Sequence, residues 1–309
     1  MKRLALATCI AVLLLNTSAK ATGDFFISTD VGSSAEMIGQ ANIEGFTDKA
    51  NNVFDNPAGL YRINQFSTSL FTTTFLNEVT YKNLSVAMRL PEGILGLGYM
   101  STEVSGLIST TASRNENQEI TEITSDGNTF GYNNTMIKAS YQWSQTEHLH
   151  WGTSAVFYTT SIGNVTGKGI NLDAGVILDY YPLVLSISAK NLLGGKAKYS
   201  NGGEENLPVQ TTYGAQYNFN EFQVAGQLKS KGSNHNMIKS ASIAYHPSTL
   251  PFLELSGGYK EYSVLDAVKS NLTFGFGLNL STISFNYAYE SSENIQFNHK
   301  HYFSVSLSL

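Results

Sequence analysis

The closing stretch HYFSVSLSL, residues 301–309, alternates between two kinds of side chain. One face carries His301, Phe303, Val305, Leu307 and Leu309, and the other carries Tyr302, Ser304, Ser306 and Ser308. Successive side chains of a β-strand point to opposite faces, so this pattern predicts a strand with one apolar and one polar face. A regular strand of this kind at the end of the sequence is typical of transmembrane β-barrels. The prediction requires enough similar strands to close a cylinder.

The composition fits a barrel better than the other membrane and soluble classes. Charged residues make up 14% of the chain, while Tyr and Phe occur 17 times each and Gly 27 times. Soluble domains usually contain about 25% charged residues. A helical membrane protein would show runs of about 20 apolar residues, yet the mean hydropathy is only −0.12. The net charge is −5, and the charged residues are spread along the chain without a basic patch, so we expect no nucleic-acid partner.

The N-terminal segment has the features of an export signal. Lys2 and Arg3 precede an apolar run at 4–15, and small residues follow it, which predicts a signal peptide at 1–21 with cleavage after Ala21. The apolar run is too short to span a bilayer as a helix. Cys9 is the only cysteine of the chain, so the mature protein is expected to have no disulfide and no thiolate metal site.

Fourteen segments of the mature chain show the period-2 alternation of a half-buried strand. Their lengths suit a tilted strand that crosses a bilayer. They lie at 66–75, 81–90, 94–104, 132–143, 149–160, 170–180, 183–191, 209–219, 221–229, 238–246, 252–260, 271–280, 282–290 and 299–309. The sequence therefore predicts an all-β fold, a transmembrane antiparallel β-barrel of about fourteen strands over residues 66–309.

The lengths of the connections between these segments alternate in the same way. Every connection from an even-numbered to an odd-numbered segment is short, as at Asn220, Ser281 and the Tyr181–Pro182 pair. Most of the others are long, notably 105–131 and 192–208. Outer-membrane barrels keep short turns on the periplasmic side and long loops outside. A secreted β-sandwich or propeller remains the alternative, but it has no reason to sort its loops by parity.

Aromatic residues cluster at the predicted periplasmic strand ends. Amphipathic rings prefer the boundary between lipid and water, so these positions predict an interfacial belt, although aromatic residues favour strands in general. The cluster comprises Tyr141, Trp143, Trp151, Tyr180, Tyr181, Tyr217 and Phe219. Lys229, Lys231 and Lys239 flank a predicted outer loop, where they would pair with anionic lipid headgroups or be solvated.

Residues 22–65 do not alternate and are expected to form a separate N-terminal hatch segment. Residues 33–46 predict a short helix, with Ser33 or Ser34 as its N-cap and Glu36 in the first turn. The string FDNPAGL at 54–60 then predicts a turn. An Asn can close an Asx turn, Pro fixes φ, and Gly permits a left-handed residue. We expect this segment to plug the barrel; the alternative is a periplasmic tail with an ordinary turn.

The string FDNPAGL, with the helix before it and fourteen strands after it, resembles the FadL-like outer-membrane barrels. The hatch of that superfamily carries an Asn-Pro-Ala motif, which corresponds here to Asn56, Pro57 and Ala58, followed by Gly59. Within the superfamily the chain is most similar to the PorV/PorQ group. The similar stretches are LDAGVILDY at 172–180, SISAKNLLGG at 186–195, LPVQTTYGAQY at 207–217 and LSGGYK at 255–260. Glu36, Met37, Gln40 and Glu44 interrupt the small-residue helix of the family.

No residue pattern indicates an enzyme, a metal site or a cofactor. His148 with His150, and His299 with His301, each lack a third ligand at a suitable spacing. The chain contains no Gly-x-Ser-x-Gly motif and no glycine-rich phosphate loop. Asp173 and Asp179 share one face of a predicted strand. We expect both of them to face the lumen, where they are solvated or pair with Lys138 or Lys190.

Two functions of different classes follow from the resemblance. A FadL-like barrel would admit a hydrophobic small molecule past the hatch and release it through a kinked strand, for which Gly93, Gly96 and Gly98 are the candidates because glycines bend strands. A PorV-like barrel would instead be a component of a type IX-like secretion system that binds exported proteins on its long loops. A structural role in the envelope is a further alternative.

The resemblance and the strand pattern together imply a location and a set of partners. We expect the protein in the bacterial outer membrane, surrounded by outer-membrane lipids. The expected partners are a hydrophobic ligand or exported proteins, and the barrel-assembly machinery, which would contact the C-terminal strand.

Overall fold

The computed structural model describes residues 31–75, 78–115, 120–231, 237–264, 267–291 and 300–309. The predicted signal peptide and the first part of the predicted hatch lie outside these residues. In the described ranges, no helix has the length and apolar character needed to cross a bilayer.

In the part of the chain that the structure describes, sixteen antiparallel strands form one sheet, and fourteen of them close into a ring. The strands are β1 (Phe66–Phe75), β2 (Val79–Leu90), β3 (Gly93–Arg114), β4 (Ile120–Ser144), β5 (Leu149–Ile162), β6 (Val165–Tyr180), β7 (Leu183–Lys190), β8 (Lys196–Tyr199), β9 (Glu204–Asn206), β10 (Gln210–Phe219), β11 (Phe222–Lys231), β12 (Ile238–Tyr245), β13 (Leu253–Val264), β14 (Ala267–Leu280), β15 (Ile283–Glu290) and β16 (Lys300–Ser308). The ring closes where β1 pairs with β16, from Ser67 opposite Ser308 to Thr72 opposite Phe303. Strands β8 and β9 form a hairpin beside β6, while β7 pairs directly with β10. The predicted fourteen-stranded barrel is confirmed.

The alternation of side chains explains why these segments form a membrane-spanning wall. On β14, Leu272 and Phe274 point outward and are 50% and 55% exposed, whereas Asn271 and Thr273 point into the lumen and are 4% and 0% exposed. Polar residues are therefore inside and apolar residues outside, the reverse of a soluble domain. Such an outer surface is stable in the hydrocarbon region of a bilayer.

The two ends of the barrel differ. One end, which we call the short-turn end, holds the tight connections such as those at Asn220 and Ser281, both with positive φ. At this end Trp143 stacks between Tyr141 and Trp151, with ring centroids 6.3 and 6.4 Å apart. These rings lie where the sequence places an interfacial belt.

The opposite end, which we call the long-hairpin end, contains strands where the sequence predicted the long loops 105–131 and 192–208. Residues 105–131 are not a loop: β3 continues to Arg114 and β4 begins at Ile120, with register shifts after Val104 and after Ile108. This part of the hairpin is mostly exposed on both faces. Neither face is buried, so the sequence shows no alternation there and the strands escape detection. The segment 192–208 likewise contains β8 and β9.

The residues before β1 fill the lumen as a compact plug, residues 31–64. Its elements are the helix α1 (Ala35–Gly39) and two 3₁₀ helices, η1 (Ala50–Val53) and η2 (Pro57–Arg62). Ser34 is the N-cap of α1, because its Oγ accepts a hydrogen bond from the Met37 amide at 3.2 Å. The helix is shorter than the predicted 33–46: Ala41 and Asn42 adopt left-handed φ values of 59° and 56°, which α-helix cannot continue through.

Candidate functional site

The Asn-Pro-Ala-Gly motif begins η2 and fixes it against the wall. Asn56 is fully buried, and its Oδ1 accepts a hydrogen bond from the Ala58 amide at 3.0 Å, which forms the predicted Asx turn. Its Nδ2 donates to Ser186 Oγ at 2.9 Å and to the Ile187 carbonyl at 3.2 Å, both on β7. Pro57 occupies the first turn of η2, where its missing amide proton costs nothing. One side chain thus caps a helix and binds the barrel.

Glycines on both partners make this close approach possible. A Cβ on Gly175 of β6 would lie 1.8 Å from Asn56 Oδ1, and a Cβ on Gly152 of β5 would lie 2.3 Å from the Ala58 amide nitrogen. A Cβ on Gly59 would lie 2.8 Å from the Asn52 side chain. Gly59 is part of η2 and is not in the left-handed region. It is needed for close packing rather than for the turn geometry expected from the sequence.

The three glycines proposed as a kink in β3 also lie so close to neighbouring atoms that a side chain on any of them would require a shift. A Cβ on Gly96 would lie 2.6 Å from Val53 Cγ2 of the plug, and one on Gly98 would lie 2.5 Å from Phe54 Cζ. A Cβ on Gly93 would meet the Gln142 carbonyl at 2.2 Å. The pairing of β3 with both neighbours is continuous from residue 94 to 104. A lateral route at these glycines stays a prediction.

A buried ionic cluster joins the plug to two strands of the barrel wall. Glu44 of the plug lies 2.8 Å from Lys190 Nζ of β7 and 2.8 Å from Lys229 Nζ of β11. Burial of Glu44 opposes its ionisation, but the two ammonium groups outweigh burial and lower the pKa of Glu44 to about 2. Lys229 is therefore a lumen residue and not the outer-loop residue that the sequence suggested.

A second buried pair lies on the wall where Phe54 of the plug meets β4. Lys138 Nζ of β4 donates to Asp173 Oδ2 of β6 at 2.5 Å and to the Phe54 carbonyl of the plug at 3.3 Å. The other carboxylate oxygen of Asp173 accepts from the Asn191 amide at 2.9 Å. Asp173 thus faces the lumen and pairs with Lys138, one of the two lysines that the sequence offered.

Asp179 takes part in a separate cluster near the short-turn end. It accepts a hydrogen bond from the Tyr61 hydroxyl, and Arg62 Nε donates to the same hydroxyl oxygen at 2.8 Å. The His150 ring stacks on Tyr61 with centroids 3.7 Å apart, and its Nδ1 lies 2.8 Å from Ser144 Oγ. Burial raises the pKa of Tyr61 to about 12, which keeps it a hydrogen-bond donor. No set of three metal-ligating side chains occurs among the described residues.

The plug is bonded to the wall around most of the barrel. Further hydrogen bonds run from the Glu44 amide to Gln227 at 2.8 Å, from Gln40 to Glu254 at 2.9 Å and from Thr273 to the Gly39 carbonyl at 3.1 Å. The Ala35 amide donates to Ser304 at 3.1 Å, and the Ala50 amide donates to Ser67 at 3.1 Å. No local sequence pattern marks these pairs, since their partners lie far apart in the chain.

Cavities lie on the two sides of the plug. Below it, at the short-turn end, an open polar vestibule of about 430 Å³ is lined by residues that include Lys49, Arg62 and Glu254. Above it, Asp55, Lys138 and Lys190 line a small cavity of about 20 Å³, enough for about one water molecule. Because plug residues line both spaces, the plug separates them. The arrangement can seal the lumen.

Comparisons with known proteins agree with this architecture. The model of the family "Type IX secretion system membrane protein PorP/SprF" matches residues 101–309. No curated protein sequence shows significant similarity to the chain.

Several solved structures share the fold at low sequence identity. The CymD monoaromatic hydrocarbon channel superposes with a TM-score of 0.62 at 14% identity, covering 90% of this chain and 98% of the other. The toluene transporter TbuX of Ralstonia pickettii gives 0.61 at 14% identity with the same coverage. A FadL homologue of Pseudomonas aeruginosa gives 0.55 at 8% identity, covering 94% of this chain and 98% of the other. At these identities the likeness establishes a FadL-like fold.

Proposed function

Because the chain belongs to the PorP/SprF family of type IX secretion system membrane proteins, we propose that it is an outer-membrane component of such a system that binds exported proteins at its long-hairpin end. In this proposal the short-turn end faces the periplasm, and the lumen does not carry the exported protein. The two observations that support it are a filled lumen and a strand pair that extends far beyond the rim.

The filled lumen argues for a surface role. The plug has charged and hydrogen-bonded contacts to strands on opposite sides of the barrel, including the buried cluster of Glu44, Lys190 and Lys229. Removing one partner from a buried ion pair typically costs about 3–5 kcal/mol. Displacing the whole plug would break several such contacts at once, so a route for a folded or extended protein through this lumen is costly.

The β3–β4 hairpin is the single observation that carries the proposal. The last barrel partner of β3 is Val79, opposite Val104, and the last of β4 is Ile162, opposite Tyr132. Ten further residues of β3 at about 3.3 Å each extend roughly 30 Å beyond this point. There Ile108 and Ile123 are each 64% exposed. Apolar side chains beside open strand edges suit the addition of a strand from another protein.

The test is a barrel that lacks only this extension. Residues 105–131 are replaced by Asn-Gly, which joins Val104 to Tyr132 as a two-residue hairpin. We expect the variant to fold and insert, as judged by heat-modifiable migration on a gel, while the amount of exported protein in the medium falls at least tenfold. Undiminished export by the folded variant would overturn the proposal.

A finer variant separates the apolar side chains from the length of the hairpin. Ile108→Ser with Ile123→Ser should lower export while the hairpin remains. Thr110→Ser with Thr124→Ser alters two exposed positions of the same hairpin and serves as the matched control. Equal export by the two double variants would show that these isoleucines do not bind the exported protein.

The fold also favours a second candidate function, passage of a hydrophobic small molecule. The similar structures named above include a monoaromatic hydrocarbon channel and a toluene transporter. Under this proposal the vestibule at the short-turn end and a lateral route at Gly93, Gly96 and Gly98 would form the exit. Uptake of toluene by intact cells with and without the protein is the test, and equal uptake would exclude this function.

The closer resemblance to the PorV/PorQ group also remains a proposal. The stretches that carry it lie on β6, on and after β7, on β10 and on β13. These strands surround the plug, so we propose that the PorP/SprF family and the PorV/PorQ group use the same plugged barrel. The contact of β16 with the barrel-assembly machinery likewise stays a prediction.

A further inference from the structure

The β8–β9 hairpin continues the sheet at the edge of β6, beyond the point where β7 ends, and β8 pairs with β6 at two residue pairs. Gly167 of β6 lies opposite Tyr199, and Lys168 lies opposite Lys198. The Tyr199 ring covers Gly167 closely, since a Cβ there would lie 2.6 Å from Tyr199 Cε1. The Ser200 amide donates to the Thr166 carbonyl at 2.8 Å, and the Thr166 amide donates to Ser200 Oγ at 3.2 Å. These contacts fix the position of β8.

This position places two lysines face to face. Residues directly opposite in an antiparallel pair have Cβ atoms about 5 Å apart, and like charges there are destabilising. Both Lys168 and Lys198 are exposed. The neighbouring acidic group, Glu204, lies opposite Lys198 in the β8–β9 pair but is bound by Lys196 at 2.6 Å, so these two lysines share one carboxylate. Among the described residues, neither Lys168 nor Lys198 has a carboxylate within salt-bridge distance. Lys168, Lys196 and Lys198 thus exceed the single carboxylate of Glu204 in charge, and this excess of positive charge is complementary to an anion from outside the chain.

The surface beside the lysines identifies the anion as part of an amphiphile. The outward face of β6 carries Lys168, Ile170 and Leu172 at every second position, and Ile170 is 61% exposed. Ile170 lies opposite Phe157 of β5, which is 45% exposed. The lysines thus lie at the edge of the lipid-facing apolar wall. Thr159, also exposed, lies opposite Lys168 and adds a hydroxyl to the same row.

We propose that Lys168 and Lys198 bind the phosphate of a membrane lipid whose acyl chains pack on Phe157, Ile170 and Leu172. The Thr159 hydroxyl lies in position to donate to the same phosphate. The lipid neutralises the like charges that the β8–β9 hairpin holds together, and the hairpin in turn is fastened to the barrel by the lipid. The site lies on the outer wall and is independent of the plug and of the β3–β4 hairpin.

The test uses the full mature chain in nanodiscs of equal parts phosphatidylglycerol and phosphatidylcholine. After mild detergent extraction, native mass spectrometry counts the phosphatidylglycerol molecules that remain bound. We expect Lys168→Gln with Lys198→Gln to lower this occupancy by about tenfold, because each lysine near an anionic surface strengthens binding several-fold. Heat-modifiable migration establishes that the double variant is folded.

Lys82→Gln is the matched control. Lys82 is also an exposed outward lysine, but it pairs with Glu103 at 3.1 Å, so its removal should leave the occupancy unchanged. Equal retention of phosphatidylglycerol by the wild type and the folded double variant would overturn the proposal. So would retention of phosphatidylcholine as strong as that of phosphatidylglycerol. Displacement of the lipid by millimolar inorganic phosphate would show a general anion site, and the lipid assignment would then be wrong.

Discussion

Glu44 Oε1 in the plug and Lys229 Nζ on β11 lie 2.8 Å apart, a contact between residues that are separated by 185 positions in the chain. With Lys190 on the other oxygen at 2.8 Å, the contact joins the plug to two strands. Loss of the Glu44 carboxylate would remove the counter-charge that Lys190 and Lys229 share. The cost of such a change determines how firmly the plug is held.

We expect Glu44→Gln to weaken the plug by about 3–5 kcal/mol, since breaking a buried pair leaves an uncompensated charge. Proteoliposomes that contain the variant should admit small sugars in a swelling assay, whereas the wild type should not. Glu103→Gln removes the carboxylate of an exposed pair with Lys82 and should leave the liposomes tight. Equal permeability of the Glu44 variant and the wild type would show that this cluster does not hold the plug.

The pH dependence of stability should report the same cluster. The pKa of Glu44 is lowered to about 2 in the fold from about 4.3 in an unfolded chain. Its contribution is therefore fully present above about pH 4.5 and is lost as the pH falls through 2. Burial raises the pKa of Asp55 to about 6, so ionised Asp55 destabilises the fold above that pH. This destabilisation is absent below about pH 4, where the carboxyl is protonated in both the folded and the unfolded chain.

The difference between the wild type and Glu44→Gln reports chiefly the Glu44 contribution, because Asp55 is present in both proteins. The Glu44 charge also helps to raise the pKa of Asp55, so that pKa falls in the variant. We expect the stability difference to shrink by about 2 kcal/mol between pH 7 and pH 3. Thermal midpoints from circular dichroism in detergent micelles measure it. A difference that stays constant down to pH 3 would contradict the ionic account.

Deletion of residues 22–60 should open the lumen. Those residues include α1, η1 and most of η2, which together separate the two cavities. The barrel strands begin at Phe66 and should still close through the β1–β16 pairing. Liposomes with the truncated protein should become permeable to small solutes. Unchanged permeability, with the variant folded and inserted, would show that the segment does not seal the barrel.

Gly152→Ala should displace η2, because the new Cβ would lie 2.3 Å from backbone atoms of Pro57 and Ala58 that cannot rotate away. We expect a loss of about 3 kcal/mol in the free energy of unfolding, at the upper end for overpacking. Gly226→Ala is the matched control on another strand, since its Cβ would meet only the Ser240 carbonyl at an ordinary 3.8 Å. A thermal midpoint that falls equally in both variants would attribute the loss to strand geometry and not to the plug.

Asn56→Ala should cost about 1–2 kcal/mol for the lost cap alone, and more because Ser186 on β7 loses its partner. Asn56→Asp keeps the oxygen that accepts from Ala58 but cannot donate to Ser186 or to the Ile187 carbonyl. Comparison of the two variants in thermal melts separates the cap from the contact with the wall. If the Asn56→Asp variant were as stable as the wild type, the contact with β7 would contribute nothing.

Much of the barrel could be predicted because its signal is local. Each strand alternates between lipid and a polar lumen, so Leu272 and Phe274 against Asn271 and Thr273 reveal their faces within a few residues. The same reasoning failed at residues 105–131, where water surrounds both faces of the hairpin and removes the alternation. The Asx turn at Asn56 was also predictable, since the capping oxygen and the Ala58 amide are neighbours in sequence.

The amino-acid sequence by itself thus determined the class of fold, the fourteen strands of the ring and the sides of the wall, because side-chain periodicity against lipid and water is set by adjacent residues. Only the tertiary structure decided which partner each buried charge takes. Glu44 meets Lys190 and Lys229, and Gly152 and Gly175 meet the motif at Asn56, through contacts that span more than a hundred residues in most cases. Closure of the ring brings these residues together, and no short-range pattern in the chain records that closure.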